Sequence, residues 1–527
     1  MAEKYDVIIA GGGHNGLIAG GYLAKAGMNV CVVEHNTYLG GGVVTLECNL
    51  PGFKHDICST AHLMIQGNPL ILNDDLGLRS KFGLDYIYPD LFLAAVFEDK
   101  SHFYIYRDVD KTCESIAKIS AYDAEAYRKF YNWSVKLLDM LTMGLYSPPP
   151  TFGAQSTLLE QSPEGQTLLR ATMMSALDIV NEFFRDDRIK IALMKFATEL
   201  MVGPATKGTG LVPFIVIPMM HKYGCALPKG GSGQLSEAAG RCIKHYGGTI
   251  KLSSTVRKFK MDGDRVAGVV LASGEEILAE KAVVSNFNIH QIPDMIRDAS
   301  DVPEQFYDGV EKISDAEFMC INNHLALNNE PHWTFDEEAM NASWVCIYPR
   351  TVDDFLLCFE DMRRGIPDWR IPVCITRTHF DPTRAPEGKH TLYLYSFQPY
   401  ELREGGHEAW NEKGEEVYEG LLNTMREYTD NMTDDNILAK SIFTPLGIEA
   451  HNPAFIKGDF GHIGTYLWQQ GGCRPLFGYG QYRMPVKGLY LCGASTHPGV
   501  GVIGGGRAAV QVVFEDLGLD FEDVASR

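Results

Sequence analysis

The chain has 527 residues, 45% of them hydrophobic and 22% charged, the composition of an ordinary soluble globular protein with two or three domains. Its formal net charge of −20 speaks against nucleic-acid partners and anionic membrane surfaces, which call for basic patches. No apolar run reaches the roughly 18 residues of a transmembrane segment. The twelve cysteines include no C-x-x-C pair, which excludes a zinc ribbon, a thioredoxin-type site and c-type haem attachment and points to reduced thiols in a cytoplasmic setting.

An apolar, β-branched run begins at Tyr5 and leaves no room for a signal peptide. Tyr5 to Ala10 reads as a buried parallel strand. Gly11, Gly13 and Gly16 follow in G-x-G-x-x-G spacing. Leu17 to Ala26 reads as a helix stopped by Gly27, and Met28 to Val33 as a second strand ending at Glu34. This strand–turn–helix–strand–acid order is a dinucleotide-binding unit. Gly11 makes the tight turn, Gly13 admits a pyrophosphate, and Gly16 lets the helix pack on the strand. Glu34, eighteen residues after Gly16, stands where an acid binds ribose hydroxyls.

A second glycine cluster, Gly40 to Gly42, follows the acid. It resembles the E-x-x-x-x-x-G-G pattern of FAD-dependent amine oxidases and phytoene desaturases. Gly42 stands where those families often carry Arg. Three further blocks add to this first one with its His14-Asn15 pair: "PGFKHDICS" at 51–59, "LPKGGSGQLSEAAGRCIKHYGG" opening a stretch at 227–286, and "RPLFGYGQYRMPVKGLYLCGASTHPGVGV" at 474–502. Together they resemble the phytoene-desaturase-like flavoproteins of the glutathione-reductase/amine-oxidase group, within it the branch of pyridine nucleotide-disulphide oxidoreductase domain-containing proteins.

The resemblance implies an α/β fold. A Rossmann-type FAD-binding domain would be assembled from the discontinuous segments 1–75, 225–290 and 481–527. An α+β substrate domain, or lid, would come from 76–224 and 291–480. It implies FAD contacts from Gly11, Gly13, His14, Asn15, Gly16, Glu34, Gly41, Gly42 and Val256, and from Gly493, Gly501 and Val502 in the final glycine-rich loop. There this chain reads "GVGVIGGGR"; Ile503 replaces a hydroxyl residue and the loop is one residue shorter.

The remaining segments carry no cofactor motif. The 107–141 and 168–201 regions read as helices, and the run "GLVPFIVIPMMHKYG" as buried core, a substrate tunnel wall or a membrane contact. Turns at Asp262-Gly263 and Ser273-Gly274 separate short strands. No metal constellation appears among the sixteen histidines.

For catalysis, His497 lies inside the glycine loop and either touches substrate or bonds loop backbone. Tyr466 and Trp468 either wall the pocket or pack ordinarily, and His62 is a weaker candidate. The expected activity is removal of two hydrogens from a CH–CH unit of an apolar or alicyclic small molecule, with or without a ketone. Electrons would pass to oxygen or a quinone-like acceptor. Oxidation of a CH–NH bond and a flavin-binding interaction protein with little turnover are the alternatives.

Overall fold

The computed structural model describes residues 3–527. Two seven-stranded sheets organise it. The first begins with the strand Glu3–Ala10, flanked on one side by the parallel strand Val30–Val33 and on the other by Glu276–Ser285. Thr249–Lys251 extends it beyond Val30–Val33. Val256–Asp262 and Arg265–Leu271 form an antiparallel hairpin on the other edge. The first turn falls at Gly263-Asp264, one residue beyond the predicted Asp262-Gly263, because Asp262 still pairs with Arg265, and the second at Ala272 to Gly274, over the predicted Ser273-Gly274. Leu489–Leu491 pairs in parallel with the end of Glu276–Ser285.

The strand ends that meet at the site, Val7–Ala10, Val30–Val33 and Ala282–Val284, are apolar and buried, the pattern of a sheet covered on both faces. The first helix, His14–Lys25, packs between the helices Gly233–His245 and Gly505–Leu517. Tyr22 and Arg507 tie this layer to the loop at 73–77. The Tyr22 hydroxyl donates to Asp75 at 2.7 Å, and the Arg507 guanidinium at 3.0 Å.

The second sheet has the order 437–443, 319–327, 390–398, 373–375, 342–348, 91–97, 102–106. Against it lies a helical layer between residues 109 and 222. Side-chain caps start most of these helices: Ser120, Thr151, Ser162 and Asp186 each accept a first-turn amide, and Ser175 makes a full capping box with Asp178. Such caps satisfy amides that the helix itself leaves unpaired.

The buried Arg384–Asp56 pair, 3.1 Å apart, joins the two halves. Asp56 also accepts from the Thr45 hydroxyl at 2.7 Å and the Ser232 amide at 2.8 Å. The "HD" of the 51–59 block is therefore a structural knot.

Candidate active site

Both glycine clusters of the N-terminal unit meet at the C-terminal end of the first sheet. Gly11 takes φ +94°, open to glycine and strained for other residues. A Cβ on Gly16 would lie 2.7 Å from the Gly11 carbonyl oxygen and 3.0 Å from Ile9. The helix thus sits on the strand at a distance only glycine allows. The Gly40 amide donates to the Gly12 carbonyl at 2.9 Å, and a Cβ on Gly41 would come within 3.3 Å of Gly13 Cα. Gly42 lies against the Phe455 ring.

Buried Glu34 accepts the Gly12 amide at 2.6 Å and the Asn36 amide at 2.8 Å, one on each oxygen. It braces the first glycine turn while lining the cavity beside it. Val256 lines the same space.

The final loop closes on this cradle. Gly501, Val502 and Ile503 line the cavity. Gly493 does not; it is packed against Asn286 Oδ1 and His462. The Asn15 side chain accepts the Gly506 amide at 3.2 Å, and a Cβ on Gly506 would lie 2.0 Å from the Asn15 carbonyl oxygen. Gly506 is therefore demanded by the close approach of two helix starts, while Gly501 and Gly504 take positive φ and Gly505 lies against Pro498.

Gly13 and Gly504 are the N-caps of these helices, and neither has a side-chain cap. The first N-terminus, with Gly13, His14 and Asn15 on the cavity wall, offers amide donors and a positive dipole end to an anionic ligand, while the second, whose Gly506 amide is taken by Asn15, adds its dipole end behind the final loop. This donor set fits a dinucleotide. Its pyrophosphate would lie at Gly13, His14 and Asn15, and its ring end at Gly501 and Val502.

Arg474 holds the loop in place. Its buried guanidinium donates to five carbonyl oxygens, those of Gly461, Ile463, Gly464, Gln469 and Ala494. The Nε2 atom of His14 is buried and unpartnered among the described residues, and burial pushes this imidazole down to about 4. Burial and Arg474 push His462 down to about 3.

His497 lines the cavity, and its Nε2 donates to the Gly144 carbonyl at 3.0 Å. It fastens the loop to the helix Ala121–Tyr146, and burial pushes it down to about 4. Tyr466 and Trp468 require a correction: they do not wall the cavity. The Tyr466 hydroxyl donates to the Asp315 carbonyl at 3.1 Å, and its ring stacks on Trp468, centroids 4.8 Å apart. Trp468 is 55% exposed. The backbone turn at 466–469 points their neighbours Thr465 and Leu467 inward instead. His62 is also off the wall, bonded to Tyr86 at 3.1 Å and Ser232 at 2.7 Å.

The cavity measures about 870 Å³. Beyond the cradle it is apolar. The run at 211–220 supplies both wall and core: Leu211, Val212, Ile215 and Val216 line the space, while Ile217 and Met220 are buried behind. Exposed Met143, Phe152 and Leu158 also line it. Sequence reasoning missed Glu199 on this wall, as well as Asn286 and Arg474. "KFATEL" reads as an ordinary helix end with an i,i+4 ion pair.

Residues 9–71 match the NAD(P)-binding Rossmann-like domain. Along 98% of its length the chain is 29% identical to pyridine nucleotide-disulfide oxidoreductase domain-containing protein 2 of Rattus norvegicus, covering 94% of that protein. It is 26% identical to one of the subunits of limonene dehydrogenase from Castellaniella defragrans (98% and 96% covered), and 22% identical to a phytoene desaturase of Pantoea ananas (97% and 99%). The chain is a homologue of the phytoene-desaturase-like oxidoreductases. Among solved structures this homologue is similar in fold to an oxidoreductase from Methanosarcina mazei (TM-score 0.62, 16% identity, 97% and 100% covered). It is also similar to putrescine oxidase (0.60, 14%, 99% of both chains). Resemblance and relatives agree on an oxidoreductase with a Rossmann-type nucleotide-binding unit.

Proposed function

We propose that the chain binds FAD and removes two hydrogens from a CH–CH bond of an apolar, alicyclic small molecule. The electrons pass to oxygen or a quinone-like acceptor. The observation that carries this reading is one cavity of about 870 Å³, which runs from the N-terminus of the helix His14–Lys25 and the final glycine loop to an apolar wall. FAD, when bound, supplies the electron-accepting ring. The chain's own residues bind, orient and exclude water. Gly11, Gly13, Asn15 and Glu34 hold the nucleotide end; Gly501, Val502 and the start of the last helix hold the other. His462 and His497, both uncharged at neutral pH, keep the loop wall neutral beside an apolar substrate.

Oxidation of a CH–NH bond is disfavoured by one observation. The aromatic rings that would hold a substrate ammonium already surround an ammonium of the chain itself, Lys195, which lies 5.5 Å from the Tyr395 ring centre and 5.9 Å from Trp344. For a ketone, Arg474 is committed to carbonyls and the Tyr395 hydroxyl to Glu199, which leaves the unpartnered Trp344 Nε1 as a donor on that wall. The names limonene dehydrogenase and phytoene desaturase among the relatives support the CH–CH reading.

The test is to release the cofactor from purified protein by acid and identify it by mass. Limonene, cyclohexylamine and cyclohexanone are then each incubated with the FAD-loaded protein. A limonene product lighter by two hydrogens supports the reading. Turnover of cyclohexylamine alone overturns it.

A further inference from the structure

Lys195 and Glu199 lie one helical turn apart at the end of the helix Asp187–Thr198, with Glu199 as its C-cap. Lys195 is buried, its side chain 1% exposed, and its ammonium bonds Glu199 Oε1. The Phe397 ring centre is 4.5 Å from that ammonium, closer than those of Tyr395 and Trp344. The Tyr395 hydroxyl donates to the same Oε1 at 2.9 Å. One carboxylate oxygen thus takes two donors. The other, Oε2, has no hydrogen-bond partner among the described residues, and the side chain remains 30% exposed.

That exposure opens on the cavity. Glu199, Trp344, Tyr393 and Tyr395 all line it, on the side of the second sheet. Among the described residues, the other acidic or Arg side chains on the wall are Glu34, engaged by two amides, and Arg474, engaged by five carbonyls. Among the described residues, Glu199 Oε2 is therefore the carboxylate oxygen on this wall without a partner, at the apolar end of the cavity.

An acceptor in an apolar site selects for a donor, because a carboxylate oxygen buried by a ligand without a partner costs the full desolvation penalty. A cationic donor is disfavoured by the Lys195 ammonium on the same carboxylate. A ketone or ether has no hydrogen to give. What remains is a neutral hydroxyl. Building on the reading that the apolar half of the cavity takes the substrate, we infer that Glu199 binds a hydroxyl group carried by an otherwise apolar substrate. The helix cap fixes Glu199, and Lys195 with Tyr395 fixes its carboxylate, so the acceptor is pre-oriented.

The experiment uses FAD-loaded protein without oxygen and two matched series: menthol, menthone and p-menthane; 1-decanol, 2-decanone and decane. Binding is read by calorimetric titration, which needs no turnover. In at least one series the alcohol is expected to bind about tenfold or more tighter than both the ketone and the hydrocarbon, the scale of one hydrogen bond to a charged group. The double variant K195M/E199L, which replaces the buried pair by apolar side chains of similar size, is expected to level each series to within about twofold. Should that variant fail to fold, the wild-type ratios decide alone. No alcohol preference in either series, or a preference that survives in the folded double variant, overturns the inference. Failure of the flavin reading shows separately, as protein that takes up no FAD whatever the alcohols do.

Discussion

The Gly506 amide donates to the Asn15 side chain at 3.2 Å, joining residues 491 positions apart. Here the last long helix starts against the first one, and the close approach explains glycine at 506. The physical consequence is a severe steric limit, because a Cβ on Gly506 would stand 2.0 Å from a backbone oxygen.

Gly506→Ala should therefore cost at least about 2 kcal/mol of stability and reduce the flavin content of purified protein. Gly153→Ala is the control. No atom lies within 4 Å of a Cβ there, so its effect should stay within about 1 kcal/mol. Urea denaturation and the visible absorbance of bound flavin measure both. A normal flavin content in Gly506→Ala would contradict the close packing.

Arg474→Lys should behave as a core defect although it preserves charge. An ammonium has three donors and cannot serve five carbonyls in a planar fan. The expected loss is about 3 kcal/mol or more, with weakened FAD retention during gel filtration. Stability equal to wild type would show that the carbonyls find other partners.

Tyr466→Phe and Trp468→Phe should leave turnover within about threefold, because general acid–base catalysis is worth 10²-fold or more and neither ring reaches the cavity wall. A loss of a hundredfold in Tyr466→Phe would place its hydroxyl in the reaction after all.

The protein should lose stability as pH falls below about 6.5, the value of an unfolded histidine. Burial pushes His14 and His497 down to about 4, and His62 and His462 down to about 3. The unfolded chain then binds more protons than the folded one. The stability these histidines contribute is complete above 6.5 and is lost progressively toward their folded values. Asp459, which burial pushes up to about 6, Asp368, which burial also raises, and His379, which Glu330 raises, act in the opposite sense, but against them stand these four histidines and six more that burial pushes down, His55, His221, His290, His324, His390 and His451. Urea midpoints between pH 6.5 and 5 should fall with pH. A flat or rising profile would contradict the neutral histidine cluster.

The nucleotide cradle was legible because its signals are local. Gly11, Gly13, Gly16 and Glu34 lie within one strand–helix–strand unit, and each glycine has a steric reason that spacing alone reveals. The two hairpin turns were legible for the same reason, the first to within one residue. The substrate half was not. Glu199 and Lys195 sit four residues apart like many solvated pairs, and only tertiary packing buries the lysine under Phe397, Tyr395 and Trp344. Tyr466 and Trp468 failed as wall residues because a short turn decides which of alternate side chains faces inward, and sequence carries no strong signal for that turn. Asn286 ends a strand and looks ordinary until Gly13 and Gly493 are found packed against its amide.

The central claim is that this cavity holds FAD and oxidises a CH–CH bond. Its most direct test is an anaerobic titration of FAD-loaded protein with limonene, menthol, cyclohexanone and cyclohexylamine, followed by visible absorbance. The account predicts bleaching of the yellow protein by limonene or menthol, and none by cyclohexylamine. Bleaching by cyclohexylamine alone, or a protein that stays colourless after incubation with FAD, would contradict it.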